Sequence, residues 1–103
     1  MKYKNYTPHD INLNDGTVIP ASGKVARVVA SYTPVDGDGV CRQVFGPVTG
    51  LPPQEEGVYV IVSLPVLQQA SDRTDLVAPA TGHPDCVRDE KGMIKSVPCF
   101  VRF

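Results

Sequence analysis

The stretch that decides the fold is Val58-Tyr59-Val60-Ile61-Val62, which is followed directly by Ser63-Leu64-Pro65. Five consecutive apolar residues between a glycine and a serine are typical of a central strand that is covered on both faces. Pro65 can occupy the first turn of a helix, where its missing amide costs nothing, and Ser63 lies near the N-cap. The stretch therefore predicts a buried strand that leads into a short helix, which we expect near residues 65–73.

The composition indicates that strands and turns make up most of the remaining chain. Sixteen valines against five leucines, with ten prolines and nine glycines, are typical of short strands joined by turns. The longest interval without proline or glycine runs from residue 66 to residue 78, so an uninterrupted helix fits only there. We therefore predict a mainly β (α+β) fold, in which a compact, mainly antiparallel sheet forms a partly open barrel or a sandwich with one short helix.

Three turn signals predict β-hairpins, and they lie at Asp15-Gly16, Asp36-Gly37-Asp38-Gly39 and Glu90-Lys91-Gly92. The last of them predicts that residues 86–89 pair with residues 93–102. Between the second and third hairpins, residues 46–57 are rich in proline and glycine, and they predict a long surface loop.

The length of 103 residues corresponds to one domain, residues 1–103. A net charge of −1 provides no field that would attract nucleic acid or an anionic membrane, so we expect no general nucleic-acid binding and no membrane partner. No apolar stretch is long enough to span a bilayer, and the N-terminal residues lack the apolar core of a signal peptide. We therefore expect a cytoplasmic protein.

The cysteines and histidines do not indicate a metal centre or a catalytic group. Cys41, Cys86 and Cys99, in a chain without an export signal, predict reduced and buried thiols. His83 and Cys86 have a spacing that zinc ligands can use, but a structural zinc site normally shows a second such pair. We predict no catalytic residue, no metal and no cofactor.

The five arginines could contribute to an anion site. If two or three of them converged, their guanidinium groups would form a bidentate clamp. The alternative is a set of ordinary surface ion pairs, for instance Arg73 with Asp72 or Asp75, and Arg88 with Asp89, which contribute little to stability. The helix start after Ser63 could also bind an anion, although this segment by itself favours a simple capping role for Ser63.

Six short motifs follow one another along nearly the whole chain: Asn5-Tyr6-Thr7-Pro8-His9, Pro20-Ala21-Ser22-Gly23-Lys24-Val25-Ala26-Arg27-Val28, Gly50-Leu51-Pro52, Val58-Tyr59-Val60-Ile61-Val62-Ser63, Arg73-Thr74-Asp75-Leu76-Val77-Ala78-Pro79 and Val87-Arg88-Asp89-Glu90-Lys91-Gly92-Met93-Ile94. With this set the chain resembles a family of small uncharacterised proteins that occur in bacteriophages, prophages and bacterial genomes. The resemblance implies a cytoplasmic accessory protein of a phage or prophage in its bacterial host, and it brings no established reaction.

The motifs contain polar residues that a fold does not obviously need, and these form the candidate ligand-binding set: Thr7, His9, Arg27, Ser63, Arg73, Asp75, Arg88 and Asp89. Hydroxyl, guanidinium and carboxylate groups together suit a ribose-phosphate ligand. By analogy with other small phage proteins, we expect a non-catalytic protein that binds a small nucleotide-like anion and sequesters a host defence signal. A homo-oligomer would help so small a domain to enclose such a ligand.

Two other functions fit the same sequence. The first is an interaction protein that inhibits a host defence protein through an exposed sheet edge or through the loop of residues 46–57. It predicts no small ligand, and it predicts that loss of Arg73 or Arg88 is tolerated. The second is a small hydrolase that uses His9 or His83, and it would lose all turnover when either histidine is replaced by alanine.

Overall fold

A computed structural model describes residues 2–70 and 72–103 of the chain. The elements in chain order are β1 (Lys2–Asn5), β2 (Ile11–Asn12), β3 (Val18–Ile19), β4 (Arg27–Tyr32), β5 (Gln43–Thr49), β6 (Val58–Ile61), α1 (Leu64–Gln69), β7 (Leu76–Pro79), β8 (Val87–Arg88), β9 (Ile94–Ser96) and β10 (Phe100–Val101). The predicted mainly β fold with one short helix is confirmed. None of the sheets in the described ranges closes into a barrel.

The largest sheet has four strands in the order β1-β6-β7-β10, and the apolar run of β6 lies inside it as predicted. β6 pairs in parallel with β1 on one side and with β7 on the other, whereas β7 and β10 are antiparallel. The three two-stranded sheets, β2-β3, β4-β5 and β8-β9, are antiparallel. The central sheet is therefore mixed, because α1 returns the chain between β6 and β7 so that both strands run in the same direction.

Buried side chains pack on both faces of β6 and of Val62, which directly follows this strand. Val60 and Val62 lie in one apolar cluster with Val66 and Leu67 of α1. Ile61 belongs to a second cluster, which includes side chains from β2 and β7. Because successive residues of a strand point to opposite faces, burial on both faces requires the continuous apolar run seen in the sequence.

The helix is shorter than the sequence predicts. Pro65 lies in its first turn as expected, but α1 ends at Gln69 and not near Arg73. The chain turns back after Ala70, whose carbonyl accepts a hydrogen bond from the Arg73 amide at 3.0 Å. No helix in the two described ranges has the length and apolarity that a bilayer crossing requires.

The structure confirms the three predicted hairpins. The β2-β3 hairpin closes at Asp15-Gly16, where Gly16 has a φ of 93° that favours glycine. The tip of the β4-β5 hairpin is closed by a hydrogen bond from the Asp36 amide to the Val40 carbonyl. At the third turn, the Asp89 amide donates to the Met93 carbonyl.

Two predicted boundaries are wrong. Gly46 to Thr49 belong to β5 and not to the surface loop, because an irregularity in the pairing between Val28 and Ala30 accommodates Gly46 and Pro47. The C-terminal residues do not form a single strand, because β9 pairs with β8 whereas β10 pairs with β7 of the central sheet.

Candidate functional site

A groove of about 800 Å³ opens between the segment after β1, the start of α1 and the β8-β9 hairpin. Four residues of the candidate set line it, namely Thr7, His9, Ser63 and Arg88. Exposed apolar side chains of Met93 and Ile94 form part of its wall. The volume lies within the range of roughly 300–1,000 Å³ that is common for small-molecule sites.

Asn5 organises one wall of the groove, although it is not among the residues predicted to bind a ligand. Its side chain is only 2% exposed. Nδ2 donates to the carbonyls of His9 (2.8 Å) and Ile19 (3.1 Å), and Oδ1 accepts from the Thr7 amide (3.0 Å) and the Thr7 hydroxyl (2.6 Å). These bonds fix the turn of residues 5–9 and attach it to β3. The sequence Asn5-Tyr6-Thr7-Pro8, in which threonine and proline follow shortly after asparagine, is a turn signal that could have indicated this role.

Thr7 and His9 serve different purposes in this turn. Thr7 is buried, and because its single hydroxyl proton is donated to Asn5, the side chain supports the turn. The His9 side chain is exposed and forms no hydrogen bond within the described residues, while the His9 carbonyl accepts from Asn5. His9 therefore lies at the groove with an exposed side chain, and Thr7 stabilises the turn that carries His9.

The Arg88 guanidinium is held beside the groove by two backbone carbonyls. Nη1 donates to the Gly92 carbonyl at 2.9 Å, and Nη2 donates to the Thr81 carbonyl at 3.1 Å. A guanidinium has five N–H groups, so three remain for a ligand. The ion pairs found in residues 2–70 and 72–103 do not include Arg88, so its positive charge has no carboxylate partner there.

The charged lining residues give the groove an excess of positive charge. Arg88 and Lys95 contribute two positive charges, and Asp10 contributes one negative charge. The carboxylate of Asp10 also accepts a hydrogen bond from the Ala21 amide at 2.8 Å. The resulting formal charge of the groove lining, with histidine counted as neutral, is +1. This arrangement can hold a small anion.

Asp89 does not line the groove, but it shapes the hairpin that carries Arg88. Its Oδ1 accepts hydrogen bonds from the amides of Lys91 and Met93, each at 2.9 Å. These bonds close the β8-β9 turn, and they place the Gly92 carbonyl where Arg88 donates to it. Asp89 is therefore a positioning residue for the groove.

Arg73 and Asp75 lie outside the groove and bind each other. Nε and Nη2 of Arg73 donate to the two carboxylate oxygens of Asp75 at 2.9 and 2.6 Å, and Nη1 donates to the Pro52 carbonyl at 2.8 Å. The side chain of Asp75 is 4% exposed and that of Arg73 is 21% exposed. The hydrogen bond to Asp75 raises the pKa of Arg73 above its usual value. The pair attaches the loop before β6 to the turn before β7.

Replacement of Asp75 by asparagine is expected to lower the free energy of unfolding by about 1–2 kcal/mol, because Arg73 loses an ionic partner but keeps access to solvent. The midpoint of urea unfolding measures this change. Glu56→Gln, which also neutralises one carboxylate at an exposed position, is the matched control. Equal midpoints for the two variants would contradict a structural role for the pair.

Arg27 and Ser63 occupy exposed positions in different parts of the fold. Arg27 begins β4, and its side chain is not among those that line the groove. Ser63 is the N-cap residue of α1, as predicted, but its side chain makes no capping hydrogen bond. The six-residue helix also has Pro65 in its first turn, so the helix start offers few amide donors to an anion.

The three cysteines are free thiols. Cys86 is half-buried and its Sγ donates to the Ser96 carbonyl at 3.4 Å, whereas Cys41 and Cys99 are exposed. The expectation of buried thiols is therefore wrong for two of the three, because Cys41 lies in the exposed connection between β4 and β5 and Cys99 lies at the surface between β9 and β10. Within the described ranges, no group of three or more potential metal ligands comes together.

Half of the candidate set thus converges on one groove. Thr7, His9, Ser63 and Arg88 line it, whereas Arg27, Arg73, Asp75 and Asp89 do not. The lining residues that sequence reasoning missed include Asp10, Thr81, Met93 and Lys95. Of these four residues only Met93 lies in one of the six motifs, and only the packing of the β8-β9 hairpin against the segment after β1 brings them together. No protein-family model matches the chain, and no curated protein or solved structure matches it either.

Proposed function

We propose that this protein binds a small nucleotide-like anion in the groove and does not convert it. The observation that carries the proposal is the Arg88 guanidinium, which two carbonyls hold at the groove and which has no carboxylate partner among the described residues. Lys95 lies in the same lining and adds a second positive charge. Two cations at one groove provide the charge-assisted donors that a phosphate requires.

The rest of the lining suits the other parts of a nucleotide. Met93 and Ile94 offer apolar surface to a base, and a thioether packs well against an aromatic ring. The hydroxyls of Ser63 and Thr81 offer hydrogen bonds to a ribose. A ligand that carries both a phosphate and an aromatic base would therefore use both kinds of surface in this groove.

Binding without turnover is favoured by the arrangement of the groove's polar side chains. A hydrolase of the predicted kind needs a nucleophile within hydrogen-bond reach of a base. In the described structure, neither the Ser63 hydroxyl nor the His9 imidazole has a side-chain hydrogen-bond partner. Recovery of a bound nucleotide unchanged after long incubation would support binding, and release of a cleaved product would contradict it.

The resemblance to phage and prophage proteins supports a biological setting for such binding. In that setting the protein would act in the cytoplasm of a bacterial host and would sequester a nucleotide signal used in defence. A protein with this role needs affinity and abundance and has no need of catalysis.

We expect Arg88→Gln to weaken nucleotide binding by roughly 10–100-fold, because a charge-assisted hydrogen-bond pair contributes about 1.5–3 kcal/mol. Isothermal titration calorimetry with a panel of nucleoside monophosphates, nucleoside triphosphates and cyclic dinucleotides identifies the tightest probe and then compares the variants. Arg102→Gln removes the same charge from an exposed position outside the groove, and it should bind as the native protein does. Equal weakening by both substitutions would show that only net charge matters, and it would contradict the groove site.

A further inference from the structure

We refer to the ribbon of β4, β5 and the turn between them, residues 24–50, as the arm. Its base packs on the core through Ala26, Val28 and Val48, and the remainder extends away from the rest of the molecule. From residue 29 to residue 44, every residue except Thr33 is exposed. The molecule measures 49 × 39 × 24 Å, and its Cα radius of gyration is 15.5 Å. A compact domain of this length has a radius of gyration of roughly 13 Å. The arm is therefore a projecting element.

Large apolar side chains are exposed along the arm. Those of Val29, Tyr32, Val35, Val40 and Val44 are between 47% and 67% exposed. Val29 and Tyr32 point to opposite faces of β4, because successive residues of a strand alternate. A two-stranded ribbon is only marginally stable in water, and clustered exposed apolar side chains mark an interaction surface. Both observations indicate that the arm is covered by a partner.

Charges of opposite sign lie at the two ends of the arm. Lys24 and Arg27 lie at the base, whereas Asp36 and Asp38 lie at the tip and outnumber Arg42, which lies opposite Thr33 near that end. None of these five residues takes part in an ion pair within the described residues. The stretch from Arg27 to Asp36 corresponds to about 30 Å of extended chain, so base and tip cannot pair within one molecule.

We infer that the arm is a dimerisation element and that its partner is a second copy of this chain. Two arms that pack antiparallel about a two-fold axis place the acidic tip of each beside the basic base of the other. The same packing covers Val29 and Val44, which lie on the same face of the ribbon as Arg27, in both copies. A parallel packing would instead place the two acidic tips together, and the repulsion would disfavour it. None of the residues found to line the groove belongs to the arm, so this inference is separate from the proposed function.

Charge reversal in sedimentation-velocity experiments tests the antiparallel arrangement. Arg27→Glu and Asp38→Lys are each expected to raise the dimer Kd roughly tenfold or more, because each change occurs at two symmetric contacts. The double variant R27E/D38K is expected to recover most of the lost affinity, since the ion pairs re-form with their signs exchanged. Asp38 is chosen for the substitution in place of Asp36, because Asp36 Oδ1 accepts hydrogen bonds from the amides of Asp38 and Val40 and so stabilises the tip itself.

The contribution of the exposed apolar side chains to dimer formation is tested, again by sedimentation velocity, with Val29→Lys, which is expected to abolish the dimer. Val87→Lys is its matched control, because Val87 is a similarly exposed valine on the β8-β9 hairpin, and its dimer Kd should not change. Circular dichroism establishes that each variant is folded. A native protein that remains monomeric at every concentration overturns the inference, as does a dimer that Arg27→Glu and Val29→Lys leave unchanged. A dimer that binds no nucleotide would support this inference and contradict the proposed function.

Discussion

Asn5→Ala is expected to lower the free energy of unfolding by about 3 kcal/mol, which is a large part of the roughly 5–15 kcal/mol that stabilises a typical domain. The substitution removes hydrogen bonds from the carbonyls of His9 and Ile19 and from the Thr7 amide. The Thr7 hydroxyl can still donate to the His9 carbonyl at 3.0 Å, whereas the Ile19 carbonyl and the Thr7 amide lose the partner that Asn5 gives them. The urea-unfolding midpoint measures the loss. Because the same bonds hold the turn that forms one wall of the groove, nucleotide affinity should fall as well.

Two further substitutions distinguish the effect of losing this hydrogen-bond network from the effect of removing any asparagine side chain. Asn5→Asp keeps the acceptor for Thr7 but places an oxygen against the two carbonyls to which Nδ2 donates, so we expect at least as large a loss of stability at neutral pH. Asn12→Ala removes an exposed asparagine from β2, and it should change the midpoint little. If Asn5→Ala and Asn12→Ala unfolded at the same urea concentration, the role assigned to Asn5 would be wrong.

Gly50→Ala should also destabilise the fold by about 3 kcal/mol, for a different reason. Gly50 has a φ of 85°, and a Cβ at this position would lie 2.6 Å from the Val25 carbonyl oxygen. An alanine in the left-handed region costs about 1–2 kcal/mol, and relief of the contact requires the backbone on one side to move, which adds to that cost. The change would act where the arm joins the body of the molecule, and thermal or urea unfolding would detect it.

Gly57→Ala provides the control for Gly50→Ala. Gly57 has a similar φ of 75°, but a Cβ there meets no atom within 4 Å. We therefore expect only the conformational cost of about 1–2 kcal/mol. The difference between the two variants isolates the contact with Val25, and equal losses would show that the close approach has no energetic effect.

Local patterns predicted much of the fold because the features concerned are local in the chain. The apolar run at Val58–Val62 can be satisfied only in a strand covered on both faces, and Asp15-Gly16 allows a tight reversal between two short strands. By contrast, the pairing of β1 with β6 and of β10 with β7 joins residues far apart in sequence. No single segment contains the information that selects those partners.

The candidate site shows the same division between local and distant information. His9 and Arg88 were predicted from their motifs, and the fold brings them to one groove. Arg73 and Asp75 looked equally suitable for a ligand, but their spacing lets them bind each other, and the nearby Pro52 carbonyl uses a further guanidinium N–H. Lys95 has no motif around it, so only the position of the β8-β9 hairpin reveals that it lines the groove.

The most direct test of the central claim is an NMR titration of isotopically labelled native protein with the tightest nucleotide of the panel. If the nucleotide binds in the groove, we expect saturable amide shift changes at His9, Ser63 and Arg88, with little change at Arg73 and Asp75. The absence of shift changes with every nucleotide of the panel would contradict the account and would favour a host protein as the partner. Saturable changes confined to the surroundings of Arg73 would contradict the groove as the binding site.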